Sequence, residues 1–490
     1  MADETAKPDV KDTAETSKQR KLLALAPRET EHEVVIGRKT LRYVARAGVL
    51  PLVDEMGATE AEVFFTAYEL LDVPDRSRRP LTFAFNGGPG SSSIWLHMGA
   101  LGPRRVKMEA QGWMPQPPFR CVDNPLTWLD RTDLVFVDPV GTGFSRAARP
   151  DSDKKYWSFQ GDLDSVGEFI RLYLTRYQRW TSPLFLAGES YGTTRAAGLS
   201  EHLVDRGIAC NGIILISTVL DFSAIRFMTA NDLPFQLFVP TYAATAWYHR
   251  RLAPALQRKP LAELLAEVKT WCEGEYTLAL MKGDRLAPAE REKIAKRLAA
   301  YVGLDVAYVL GTNLRVEIFR FCKELLRDER RSVGRLDSRF KGIEALAVTE
   351  HPEFDPSMLA ITPPYTSAFN QYVRSSLGVE TDLVYEVLSS SINEKWTWEN
   401  GRLPATGETL RAAIAKNPYM RVLVAQGTYD LATPLFATEY MLTHMNVDAA
   451  LRANVQMATY EAGHMLYLDE GCLAQLKSDV DAFLRAATPK

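Results

Sequence analysis

The sequence predicts an α/β fold: a mostly parallel central sheet flanked by helices, opened by an N-terminal antiparallel meander and interrupted by a helical cap insertion. Three observations predict it. Short apolar, β-rich runs recur along the chain, each followed by Gly, Asp or Pro; helix-period stretches separate several of them; and a long helical block divides the last two runs from the rest.

Residues 1–30 are dominated by Lys, Asp, Glu and Thr with no hydrophobic period, which predicts a disordered tail. Residues 31–220 form the first part of the expected core. Here Val34 to Ile36, Thr40 to Ala45 and Ala61 to Tyr68 alternate or cluster β-branched and aromatic residues between Gly-containing turns, as antiparallel strands do. Leu81 to Phe85, Leu134 to Val137, Leu184 to Ala187 and Gly212 to Ile216 then read as buried strands. Leu163 to Tyr177 and Thr193 to Asp205 read as helices between them. Residues 221–404 carry helical patterns at Pro260 to Lys282, Ala287 to Tyr301 and Leu314 to Arg330, and are expected as the cap, in a place where substrate-selecting lids are common. A separate helical domain without substrate contact is the alternative. Residues 405–490 supply the second part of the core, with strands at Arg421 to Ala425 and Val455 to Tyr460 before a last helix.

A length of 490 residues suits roughly three domains of about 150 residues, or one large domain with an insertion. Lys and Arg total 58 against 61 Asp and Glu, giving a formal charge of −3, so no nucleic acid or anionic membrane is expected as the main partner. No apolar run approaches the roughly 18 residues that cross a bilayer. The five cysteines are far apart without C-x-x-C spacing, so neither a disulfide framework nor a metal is expected, and no cofactor motif is present. The first 22 residues lack the apolar stretch of a secretory signal, which predicts a cytoplasmic location, or a periplasmic or secreted one if a leader has been removed.

Chemistry is most visible at Gly188-Glu189-Ser190-Tyr191-Gly192, directly after an apolar run and directly before a helix-period segment. That is the context of a nucleophile elbow, where small residues two positions either side let strand and helix backbones approach while the hydroxyl is pushed outward. Alone the pentapeptide is a weak signal and equally fits a simple turn. A serine hydroxyl needs a base, and the base an orienting carboxylate, in the order Ser, Asp or Glu, His for this fold class. Of seven histidines, His464 stands late and in a turn after a strand-like run; His444 sits in a helical pattern and His202 on the helix after the serine. Asp430 follows the strand Arg421 to Ala425, where a turn or helix-capping aspartate is the competing role. Ser190, Asp430 and His464 are thus the expected catalytic residues. The Tyr191 N–H is expected to face the developing oxyanion, with a second donor from Asn86-Gly87-Gly88-Pro89-Gly90-Ser91-Ser92-Ser93. As an isolated glycine loop that segment could equally cradle phosphate, but the Lys and Ser/Thr of a Walker motif are absent.

Together these residues resemble the serine carboxypeptidase family of α/β hydrolases. Phe85 to Ser93, Asp138-Pro139-Val140-Gly141-Thr142-Gly143-Phe144-Ser145, Gly188 to Gly192 and Ala462-Gly463-His464-Met465 look like its four signature blocks, in family order. The resemblance implies an exopeptidase that removes one residue from peptides with a free C-terminus through an acyl-enzyme. By that resemblance Ser190 is the nucleophile, His464 the base and acid, and Asp430 its orienter. The N–H groups of Gly88 and Tyr191 form the oxyanion hole, and Asn86 and Glu189 bind the substrate carboxylate with Gly87 N–H assisting. Trp95 and Met465 match positions lining the leaving-residue pocket, against simple core packing. Tyr242, Trp247 and Tyr248 are expected mainly in core packing.

Two departures stand out. Ala100 replaces an acidic residue usual before Leu101-Gly102-Pro103, which puts a strongly acidic pH optimum in doubt, and Ser91 replaces a disulfide-forming cysteine, in keeping with a reducing compartment. The competing functions are an acyltransferase or esterase on the same residues, which the retained Glu189 disfavours, and a non-catalytic binding protein on a hydrolase scaffold.

Overall fold

A computed structural model describes residues 20–398 and 403–488. Residues 1–19, most of the expected tail, lie outside the described residues. The remainder of that segment is ordered: the Arg20 guanidinium pairs with Asp153, Leu23 and Leu25 pack on the core, and the first strand starts at Arg28. The tail boundary at residue 30 is therefore too late, because strand pairing continues through polar residues that carry no hydrophobic period.

The meander comprises β1 (Arg28–Ile36), β2 (Lys39–Val53) and β3 (Thr59–Leu70), paired antiparallel. Next come β4 (Leu81–Phe85), a small hairpin of β5 (Arg104–Val106) and β6 (Cys121–Asp123), β7 (Asp133–Val137), the short β8 (Arg146–Ala147), β9 (Leu184–Ser190) and β10 (Gly212–Thr218). A second hairpin, β11 (Arg331–Val333) and β12 (Lys341–Ile343), lies in the insertion. The sheet is completed by β13 (Arg421–Gly427) and β14 (Val455–Tyr460), in the order β1-β2-β3-β7-β4-β9-β10-β13-β14 with β8 alongside β3. From β7 to β14 every pairing is parallel.

Helices cover both faces, and strand alternation divides the side chains between them. Leu184, Leu186, Ile213 and Leu215 join the helices Phe159–Arg176 and Tyr191–Val204 in one core cluster, whereas Phe185, Ala187, Ile214 and Ile216 join the helix Glu470–Ala487 in the other. Full burial of each large apolar side chain contributes about 1.5–3 kcal/mol. Ser158 and Asp469 cap two of these helices, accepting from Gly161 N–H at 3.1 Å and Gly471 N–H at 3.0 Å.

The chain between β10 and β13 is mainly helical but has two parts. Helices Val239–Tyr248, Leu261–Trp271 and Pro288–Val302 pack on one another. The helix Pro356–Ser375 instead lays Ile361, Tyr365 and Phe369 against the sheet-side cluster, with Tyr365 5.1 Å from Trp95 and Phe369 5.8 Å from His97 between ring centroids. The insertion thus contributes a core element as well as a cap. Where one helix was expected across Leu314 to Arg330, only Ile318–Glu324 is α-helical. Asn313, Leu314 and Arg330 take positive φ, which interrupts it at both ends. Among the described residues no helix is long and apolar enough to cross a membrane.

Candidate active site

Four loops leave the carboxyl ends of parallel strands β4, β9, β13 and β14 and meet at one cavity of about 700 Å³. The β4–β9 register sets Phe85 against Gly188, so Asn86 emerges beside Glu189. Ser190 ends β9 with φ 60 and ψ −130, a conformation costing about 1–3 kcal/mol that over-determined surroundings hold in place. Those surroundings are backbone. A Cβ on Gly188 would lie 2.1 Å from Gly192 O, and one on Gly192 would lie 2.7 Å from Phe85 O. One on Gly87 would lie 2.4 Å from Tyr191 N, so the glycine loop abuts the start of the helix that follows Ser190.

On the far side of the serine, His464 Nδ1 donates to Asp430 Oδ2 at 2.7 Å, with both side chains buried. Asp430 is fixed by further donors: Ala432 N–H at 2.8 Å and Thr433 N–H at 2.9 Å reach Oδ1, and the Thr433 hydroxyl reaches Oδ2 at 2.7 Å. The turn-capping role weighed for this aspartate and the imidazole contact are therefore combined in one carboxylate. His464 is anchored by its own N–H on Leu336 O at 2.6 Å. Burial lowers its basicity, but Asp430 and Glu189 outweigh that and leave it above its ordinary value. Ser190 and His464 both line the cavity; among the described residues no direct hydrogen bond joins them, a looseness common before substrate binds.

Glu189 is 3% exposed. Its Oε1 accepts from Asn86 Nδ2 at 2.9 Å, while Asn86 Oδ1 accepts Leu96 N–H at 3.0 Å, which fixes the amide orientation. Burial pushes the Glu189 carboxyl up to about 7, with Asp430 adding to the rise and His464, Tyr467 and Asn86 opposing it. A protonated carboxyl next to an amide donor can hold an incoming carboxylate.

Comparison with known proteins agrees with this layout. Residues 47–224 match the family model for serine carboxypeptidases. The chain is 32% identical over 156 residues to the pheromone-processing carboxypeptidase KEX1 of Saccharomyces cerevisiae, a stretch of 30% of this chain and 20% of that protein. It is 31% identical over 151 residues to serine carboxypeptidase-like 13 of Arabidopsis thaliana, covering 29% of this chain and 34% of the relative. These matches thus span about a fifth to a third of the relatives' length. The crystal structure of the Saccharomyces cerevisiae prohormone-processing carboxypeptidase superimposes over 90% of this chain and 91% of that one, with a TM-score of 0.56 at 17% identity, which shows a shared fold.

The matched segment resembles the serine carboxypeptidases.

The remaining residues expected from that resemblance fall as follows. Trp95 and Met465 both border the cavity, and Trp95 Nε1 donates to Ser91 Oγ at 2.9 Å. Gly88, at φ 100, and Tyr191 border it too. Tyr242 is stacked on Phe321 at 4.0 Å and Trp247 Nε1 bonds Lys259 O at 3.1 Å; neither these nor Tyr248 reach the cavity. Ala100 is fully buried in a turn of π-helix and supplies no acid near Glu189, whose neighbours there are the Tyr365 and Tyr467 rings. The block Asp138 to Ser145 braces the glycine loop: Asp138 Oδ1 accepts Ser93 N–H at 2.8 Å, and the Ser145 hydroxyl donates to Asp138 O at 2.6 Å.

Sequence reasoning missed a buried support. Arg195 Nε donates to Asp162 Oδ2 at 2.8 Å and its other arm to Asn86 O at 2.6 Å, while the Tyr191 hydroxyl reaches the same Asp162 oxygen at 2.9 Å. Arg195 falls three residues after Gly192 on a helix face that proves fully buried, and a charged residue amid Ala and Gly there was the available signal.

Proposed function

We propose that the protein is a serine-type carboxypeptidase that hydrolyses the terminal peptide bond of substrates with a free C-terminus. The observation that carries this reading is the buried Asn86–Glu189 pair beside Ser190: a site for a carboxylate one residue from the nucleophile.

In this reading Ser190 Oγ attacks the scissile carbonyl carbon while His464 Nε2 takes its proton. Asp430, accepting from Nδ1–H, holds the tautomer and stabilises the imidazolium. The N–H groups of Gly88 and Tyr191 receive the oxyanion. Collapse breaks the C–N bond, His464 returns the proton to the leaving amine, and the terminal residue departs. Water then gives a proton to His464 and attacks the acyl ester; as the ester C–O bond breaks, His464 passes that proton to Ser190 Oγ, freeing the serine and the shortened peptide. Asn86 and protonated Glu189 hold the terminal carboxylate until that residue departs, so binding and cleavage are aligned on the last residue.

Mass spectrometry of a peptide library incubated with the wild type and with Ser190→Ala tests the proposal. Loss of single C-terminal residues with the wild type alone is expected. No trimming by the wild type, or equal trimming by the variant, would overturn it.

A further inference from the structure

Two guanidiniums in the cavity have no role in the chemistry above. Arg226 and Arg335, both from the insertion, line it. Arg226 lies 5.8 Å over the Phe222 ring. Arg335 precedes Leu336, the residue whose carbonyl anchors His464, and its charge acts on both His464 and Arg226. Among the described residues neither guanidinium forms an ion pair. The protein's buried arginines behave differently: Arg79 and Arg179 pair with Asp133, Arg195 with Asp162, and Arg339 with Asp337. Two acids also border the cavity without answering them. Glu317 already accepts Phe319 N–H at 2.9 Å and Arg320 N–H at 3.2 Å, and Glu394 is exposed and bonds neither arginine. Arg226 is exposed and Arg335 half-buried, and each lies within range of the other's charge, so two like charges lining one cavity without a counter-ion repel and an incoming carboxylate gains at both.

Sheet order says which part of a substrate this would be. Asn86 follows β4 on one side of β9, whereas the segment bearing Phe222 and Arg226 follows β10 on the other, where Thr218 is in register with Ser190. Phe222 packs with Val219 and Tyr191 there. We propose that Arg226 and Arg335 bind an acidic side chain on the acyl side of the cleaved bond, making the protein selective for peptides with Asp or Glu before the departing residue. This rests on the carboxypeptidase reading.

The test uses blocked tripeptide acids that carry Glu or Gln at either of the two positions before the last residue, and blocked dipeptide α-methyl esters with the same acyl groups. Wild-type kcat/KM should favour Glu over Gln by about tenfold at one position, the scale of a charged hydrogen bond. In the Arg226→Gln/Arg335→Gln variant, shown folded by fluorophosphonate labelling of Ser190, that ratio should fall to about one. Equal Glu and Gln values in the wild type would overturn the inference whether or not the variant folds, as would a preference that survives in the folded variant. Cleavage of esters but of no peptide acid would instead sink the carboxypeptidase reading, and the ester pair would still report the arginines.

Discussion

The two walls of the cavity are built on opposite principles. On the sheet side, Gly87, Gly188 and Gly192 lie against backbone atoms with no room for a methyl group, Asn86 bonds Glu189, and Arg195 joins Asp162 to the Asn86 carbonyl. On the insertion side, Phe227, Ile318, Phe319 and Met358 present apolar surface, with Arg226 and Arg335 lacking carboxylate partners among the described residues. The first wall leaves reacting groups no freedom; the second can change its side chains without moving the sheet. In the proposed reading chemistry falls mainly on the sheet and selection mainly on the insertion, joined where the Leu336 carbonyl anchors His464.

The largest break in this contrast should come from Asp430→Asn. The turn would keep its Thr433 and Ala432 bonds through the amide oxygen, yet the imidazole would be held in the wrong tautomer. A fall in kcat of about 10⁴-fold with little change in melting temperature is expected from steady-state kinetics and calorimetry. Gly188→Ala should break the same wall through stability, since its methyl meets the Gly192 carbonyl and not a movable side chain. Chemical denaturation should show a loss of about 3 kcal/mol, together with most of the activity. A loss under 1 kcal/mol would show that the elbow is far more pliant than its contacts.

A finer cut is by pH. Neutral imidazole is needed for attack, so rates on every substrate should climb as pH rises through the His464 value, which lies above its ordinary one. Glu189 keeps its proton below about 7 and loses it above, where the anion repels a terminal carboxylate. Peptide acids should therefore show a narrow optimum near neutrality and matched peptide amides only the rising limb. Identical kcat/KM profiles would remove Glu189 from carboxylate binding. The smallest effect belongs to the insertion wall. Phe319→Ala, at a side chain 45% exposed, should alter stability by no more than about 0.5 kcal/mol and redistribute peptide preference while an activated ester is hydrolysed nearly as before.

What could be read from the sequence follows the same division. Buried parallel strands are continuous apolar runs, so β4, β9, β10 and β13 declared themselves, and the spacing of Gly188 and Gly192 around Ser190 anticipated positions where a Cβ would lie only 2.1 and 2.7 Å from a carbonyl oxygen. The carboxylate pair was legible only through family resemblance, since nothing in the spacing of Asn86 and Glu189 says that β4 and β9 are neighbours in register. The insertion was legible as helical and little more. The helix Pro356–Ser375, which carries Pro363 and Pro364 inside it, was not among the expected helices, and the expected helix Pro260 to Lys282 is interrupted by a π-turn at Cys272–Tyr276. Arg226 and Arg335 gave no signal because an unpaired charge is defined by what surrounds it in space.

The placement of the insertion between β10 and β13 also orders events during synthesis. The ribosome delivers the hydroxyl of residue 190 first, then the whole intervening block, and only afterwards the acid and the imidazole on the closing strands. A nascent or truncated polypeptide ending before residue 464 carries a serine with no base to awaken it. Under the proposed mechanism reactivity therefore arrives together with completion of the sheet, and a partly made molecule would leave the peptides around it uncut.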